Sequence, residues 1–307
     1  MKKFIKIIFK FFYRIIPLKK YVFIMLKKVY QPSKKIYQHL VFKGNFQLSY
    51  YDKKIKIYNT GTFIENNLFW RGIEGYEPNS LKIWAELSKT SDVVFDLGAN
   101  TGVYSLLAFS QNPSLEVYSF EPVERNFEVL KKNVSINNFN INCYNLAISN
   151  REGTSFFIDD YEEFTSSVVV NKGLEEIAHD RGVEEESLRR IEVEITTLDS
   201  FIKLNNIKKI DLMKIDVETH EPQVFEGFNA TLEKYKPTFL IEIIRDHVAS
   251  YLEKRLSGLG YNFFHINDRI ERREEKKKSI VKHSKLVGRP AGNYLICENH
   301  IVQKLDL

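Results

Sequence analysis

VFDLGANTG, residues 94–102, begins as an apolar strand, places an acid at Asp96, and then turns through Gly98 and Gly102. Glycines let the chain turn sharply and let a ligand approach the backbone closely. A helix starting near Gly102 would offer unpaired N–H groups at its first turn. A second apolar run, EVYSFEP at 116–122, ends in Glu121, nineteen residues past Gly102. That is the separation at which an acid following such a loop accepts hydrogen bonds from ribose hydroxyls. The pair reads as a nucleotide-binding turn.

Working outward, strand signals alternate with helical ones. DVVFDL, EVYSF, INCYNLAI, IDLMKID and TFLIEII are separated by GVYSLLAFS, ERNFEVLKKNVSIN, EPQVFEGFNATLEKY and HVASYLEKRLSGL. Alternation of this kind predicts an α/β fold, a mostly parallel sheet with helices on both faces. YNFFHIN and NYLICEN near the end, with no clear helix between them, predict an antiparallel edge hairpin. Ahead of the alternation, FQLSYY, KIKIYN and FIENNLFW read as a small strand cluster, followed by a helix over 78–88. An acidic insertion at 159–190 and a basic one at 269–289 interrupt the pattern as loops. Beyond the carboxyl ends of the strands such loops would border a ligand site.

Two cofactors use a strand–glycine turn–helix followed by an acid. A dinucleotide needs G-x-G-x-x-G so that its pyrophosphate sits on the helix start. Here Ala99 and Asn100 stand where the middle glycine would be, and Asp96 precedes the first glycine. An acid in that place opposes a diphosphate and suits a cationic cofactor without phosphate, such as S-adenosylmethionine.

VVFDLGANTGVYSLLA, VYSFEPVERNFEVLKKNVSINN, TLDSF and IDLMKIDVETHEPQVFEGF together resemble the FkbM family of S-adenosylmethionine-dependent methyltransferases, over roughly residues 74–245. The resemblance implies a Rossmann-like class I methyltransferase fold, with seven strands and an antiparallel C-terminal edge. It implies that Asp96, Gly98, Asn100 and Gly102 hold the methionine part of the cofactor and that Glu121 holds the ribose. Asn145 and Ala147, after the third strand, would lie near adenine. It also implies O-methylation of a hydroxyl on a sugar, glycan or related metabolite. The family shows D-x-E-G-x-E after the fourth strand; this chain has DVETHE, with Thr219 at the glycine position. A left-handed backbone there is one that Thr adopts reluctantly. Either the turn differs locally or the glycine is not geometrically required.

A hydroxyl is a poor nucleophile until a base takes its proton. KIDVETHEP brings Asp216, Glu218, His220 and Glu221 to the end of one strand, and such crowding disturbs pKa values. Asp216 is expected on the cofactor side, with Glu218, His220 or Glu221 near the acceptor. Glu221, beside Pro222, equally suits a cap on the next helix, and Asp216 equally suits orienting the loop. Glu242 and Glu77 are further carboxylates beside the sheet. The spacing specifies no metal.

Net charge is +5, but residues 1–44 hold twelve Lys or Arg and no acid, leaving 33 basic against 40 acidic residues in the remainder. Lys2, Lys6, Lys10 and Arg14 form one helical stripe, with Ile5, Ile8, Phe9, Phe12, Ile15 and Ile16 mostly opposite. No run reaches the ~20 apolar residues of a spanning helix, and no cleavage site marks a signal peptide. A basic amphipathic segment on an anionic membrane surface is expected. Nucleic acid is not, because the aromatic residues share the isoleucine face. Cys143 and Cys297 lie far apart in apolar runs, which fits a reducing, cytoplasmic compartment. The chain therefore divides into a basic segment 1–44, a small cap 45–90 and a catalytic part 91–307. A nicotinamide-dependent oxidoreductase and a non-catalytic cofactor-binding module on a membrane are the alternatives.

Overall fold

The computed structural model describes residues 18–160, 166–167, 188–268 and 279–307. The stripe expected over residues 2–16, most of the acidic insertion and residues 269–278 of the basic one lie outside the described residues.

Strands β1 (Gly44–Tyr50) and β2 (Lys53–Asn59) form an antiparallel hairpin in which Phe46 faces Ile57 and Leu48 faces Ile55. Period-two alternation puts these four side chains on one buried face. FIENNLFW, expected as a third strand, is instead a helix, Phe63–Arg71. Its Leu68, Phe69 and Trp70 are buried in succession, together with Glu65, Asn66 and Asn67. A strand with one covered face cannot bury consecutive residues, whereas a helix enclosed on most sides can. The Phe69 ring meets Phe42 and Phe46 edge-on at 4.7 and 5.5 Å. The expected helix over 78–88 is present as Pro78–Ser88.

The remaining strands are β3 (Val93–Leu97), β4 (Glu116–Phe120), β5 (Ile141–Tyr144), β6 (Ala147–Ile148), β7 (Gly153–Asp160), β8 (Ser166–Ser167), β9 (Leu188–Thr196), β10 (Leu212–Ile215), β11 (Thr238–Ile243), β12 (Asn262–Ile266), β13 (Ile280–His283) and β14 (Gly292–Cys297). The main sheet runs β13-β12-β14-β11-β10-β3-β4-β5. Its five strands β11 to β5 are mutually parallel, and β14 enters antiparallel between β11 and β12. This is the expected sheet with one addition: part of the basic insertion, read as loop, pairs with β12 as an eighth strand, β13.

Side chains alternate across the sheet. Val94, Leu212, Leu240 and Leu295 pack into one cluster with the hairpin and Trp84. Phe95, Met213, Ile241 and Ile296 pack into the other, with Phe201, Phe225 and Leu252. INCYNLAI is not one strand: it breaks at Asn145 and Leu146, and β6 joins a second sheet of order β6-β9-β7-β8. There β7 and β9 pair antiparallel from Gly153↔Ile195 to Asp160↔Leu188. Exposed Glu192 and Glu194 alternate with buried Val193 and Ile195, the period of a half-buried strand, and only the first three residues of β9 fall inside the expected acidic insertion.

Chain order reverses between β3 and β10: β4 and β5 lie to one side, β10 and β11 to the other. Parallel strands diverge there, and a crevice opens beyond their carboxyl ends.

Candidate active site

The crevice is a cavity of about 620 Å³. Gly98 shapes its floor at φ 79, and a Cβ there would lie 1.9 Å from the Asp216 carbonyl oxygen. Only glycine lets the β3 turn pass so close to the end of β10. Asp216 N–H in turn donates to the Leu97 carbonyl at 3.0 Å. The Gly98 and Ala99 N–H groups donate to the Phe120 carbonyl at 3.0 and 2.9 Å. Asn100 takes a left-handed conformation, φ 51, which its short amide tolerates. Gly102, at φ 87, opens helix Val103–Gln111 where a Cβ would strike Leu130.

Glu121 is the pin of this loop. Its carboxylate accepts from the Asn100 N–H at 2.8 Å and from the Val123 N–H at 2.9 Å. Burial nonetheless outweighs these bonds and pushes its pKa up to about 7. Asp96 accepts from the Ser105 N–H at 3.1 Å and from its hydroxyl, which also meets Ser119 at 2.6 Å. Burial raises Asp96 to about 6. The Asn145 amide donates to the carbonyls of Glu121 and Pro122 at 2.9 and 3.0 Å and is not part of the cavity wall, which Leu146 and Ala147 form at that point.

The DVETHE turn is left-handed at both Glu218, φ 53, and Thr219, φ 76. The glycine-type geometry is therefore kept with Thr in place. Asp216, Glu218 and His220 line the cavity; Glu221 does not. Glu221 is buried and accepts from the Thr219 N–H at 3.3 Å, and burial lifts it to about 7. The His220 Nε2 lies 2.9 Å from the Ser149 hydroxyl, and burial lowers its pKa to about 4. Its imidazole is neutral at physiological pH.

The least expected member is Lys214. It is 1% exposed, yet its ammonium lies 3.1 Å from Asp216 and 3.3 Å from the Asn293 side-chain oxygen. Burial opposes its charge, but Asp216, Glu77 and Glu242 hold its pKa above the ordinary lysine value. Glu242, at the end of β11, is driven up to about 8 by burial and by Asp216, against the pull of Lys214. Glu77 is raised by burial and accepts from the Tyr104 hydroxyl. The carboxylates of this centre were among the sequence candidates, and a lysine inside the apolar run LMKI is the signal for the missing member, since a buried cation requires carboxylates around it. Among the described residues no group of three or more His, Cys, Asp or Glu is arranged to hold a metal ion.

Residues 96–273 match the family model of the methyltransferase FkbM domain. The chain belongs to the FkbM methyltransferase family. Methyltransferase sdnD of Sordaria araneosa is 25% identical over 190 residues, covering 53% of this chain and 72% of that protein. The 31-O-demethyl-FK506 methyltransferase FkbM of Streptomyces tacrolimicus is 28% identical over 156 residues, 45% of this chain and 60% of its own length. Among solved structures, methyltransferase FkbM from Methylobacillus flagellatus is 13% identical, with a TM-score of 0.39, over 67% of this chain and 44% of that one. The fold is the Rossmann-like class I methyltransferase fold, and S-adenosylmethionine is the family's cofactor. Neither the oxidoreductase nor the non-catalytic alternative finds support in these matches.

Proposed function

We propose that this FkbM-family protein transfers the methyl group of S-adenosylmethionine to a hydroxyl oxygen of a sugar, glycan or related small-molecule acceptor. The carrying observation is the charge of the cavity wall. Six carboxylates, Glu77, Asp96, Glu121, Asp216, Glu218 and Glu242, face three cations, Lys34, Arg125 and Lys214. A diphosphate would add negative charge beside carboxyl groups whose pKa values burial has already raised, whereas a sulfonium and an ammonium would favour their ionisation and be held by it.

In this reading Glu121 receives the ribose hydroxyls, Leu146 and Ala147 flank adenine, and Asp216 with Asn100 holds the amino-acid end. When bound, S-adenosylmethionine supplies an electrophilic methyl group, so the chain's own tasks are alignment and proton removal. Glu218, His220 and Glu242 share the cavity and are the groups that can take the acceptor's proton. Glu221 supports the turn that carries them. Residues 45–90 act as a cap over the catalytic part 91–307. Twelve basic and no acidic residues in 1–44 support attachment to an anionic membrane surface on the cytoplasmic face.

The test is calorimetric titration of the full chain with S-adenosylmethionine, S-adenosylhomocysteine and NAD in two buffers of different ionisation enthalpy. The first two are expected to bind. The cationic one should release more protons, because a bound cation lowers the raised carboxylate pKa values. Binding of NAD alone would overturn the reading.

A further inference from the structure

Helix Lys19–Val29 buries one face and leaves another open. Phe23 points inward, its ring 5.6 Å from Trp70, and the Lys27 ammonium bonds the Phe69 carbonyl of helix Phe63–Arg71. Leu18, Val22, Met25 and Val29 fall at i, i+4, i+7 and i+11 and form a continuous outward stripe. Met25 is 70% and Val29 85% exposed. A contiguous apolar stripe on a water-facing helix marks an interaction surface. What it faces is indicated by charge. Residues 18–44 carry Lys19, Lys20, Lys27, Lys28, Lys34, Lys35 and Lys43 and no acid, while residues 45–307 hold 33 basic against 40 acidic residues. An anionic surface would attract this face and repel the rest, which orients the molecule.

The cavity wall reaches this N-terminal segment, since its Tyr37 stacks 6.3 Å from Trp70, the ring against which Phe23 packs. Lys34, Tyr37, Gln38 and Phe63 line the cavity. Phe63 is 58% exposed, with the Lys34 ammonium 5.0 Å from its ring centre, and Ile36 is exposed beside them. Apolar rings and lysines together suit the boundary between headgroups and acyl chains.

We propose that the Leu18–Val22–Met25–Val29 stripe seats this protein on an anionic lipid bilayer with the Phe63 mouth at the lipid interface, so that the acceptor is a lipid-anchored hydroxyl compound entering headgroup first. This rests on the membrane attachment proposed above and adds which surface attaches and what it presents to the site.

The test uses the full chain with vesicles of phosphatidylglycerol or phosphatidylcholine carrying brominated acyl chains. Cosedimentation is expected with the anionic vesicles only. The double variant Met25→Asp/Val29→Asp should bind at least about tenfold more weakly, with an unchanged thermal midpoint because both positions are exposed. In a Cys143→Ser background, with Cys297 fully buried, a bimane label is placed at Phe63→Cys or at Leu204→Cys. Leu204 ends a helix packed on the opposite face of the sheet. Quenching at 63 and not at 204 is expected. Full-length protein indifferent to anionic vesicles would sink both attachment and this surface. Vesicle binding that survives the double variant, or quenching at 204 rather than 63, would leave attachment standing and overturn the proposed surface.

Discussion

Replacing Thr219 by glycine should make the protein more stable, against the usual direction of a glycine substitution. Thr219 sits at φ 76, immediately after Glu218 at φ 53. The left-handed region costs a residue with a Cβ about 1–2 kcal/mol, and a β-branched side chain stands at the upper end. Glycine removes that strain but loses roughly 0.5–1 kcal/mol more backbone entropy on folding. The net expectation is a gain of about 1–1.5 kcal/mol. The hydrogen bond from the Thr219 N–H to Glu221 survives, since it uses backbone only. Urea unfolding should show a higher midpoint at unchanged slope, and the thermal midpoint should rise by about 1–3 °C. Thr219→Ala is the control: it relieves branching but keeps the left-handed cost, so it should gain less. If Thr219→Gly instead lowers stability by about 0.5–1 kcal/mol, as glycine does in ordinary backbone, the turn is not left-handed and the reasoning fails.

Gly98→Ala should cost about 3 kcal/mol or more and abolish cofactor binding, because the new methyl meets the Asp216 carbonyl of a central strand; urea unfolding and calorimetry would check it, and near-wild-type values would contradict the packing. Glu242→Gln tests the raised carboxyl. Its folded pKa of about 8 lies above the unfolded value near 4.5, so its contribution to stability is present below pH 4.5 and lost as pH rises through 8. The variant should therefore gain on the wild type between pH 5 and pH 8, and a gain in the reverse direction would refute the shift. His220 has the opposite sign. Its folded pKa near 4 lies below the ordinary 6.5, so the imidazole should stay neutral in nitrogen NMR spectra between pH 8 and pH 5; a midpoint near 6.5 would show it solvated.

The main sheet was legible because its strands are buried on both faces. VVFDL, LMKI and TFLIEI are near-continuous apolar runs, and the helices between them carry their own period. Asp96, Gly98, Asn100, Glu121, Asp216, Glu218 and His220 do meet at one cavity. The small elements were harder. FIENNLFW has the composition of a half-buried strand, but it is enclosed on most sides, with Phe69 and Trp70 packed on rings of the N-terminal segment, and a helix is what buries consecutive residues there. β9 begins inside the acidic insertion and has its partner β7 running into it, and β13 is four residues long, too short for periodicity to register.

What the sequence determined by itself is local: the strand-turn-helix from Gly98 to Gly102, the acid nineteen residues past Gly102, the alternation that makes a parallel sheet, and the segregated basic N-terminus. These depend on backbone conformation, side-chain period and charge count, all of which act between neighbours in the chain. The tertiary structure alone decided which groups share a site. Lys214, Asp216 and Asn293 come from two strands far apart in sequence, and Glu77 reaches the same centre from the helix ahead of the sheet. Glu221, three residues from Glu218, is turned away to accept from the Thr219 N–H. Pairing, burial and the pKa values that follow from them are properties of distance in space, which chain spacing does not encode.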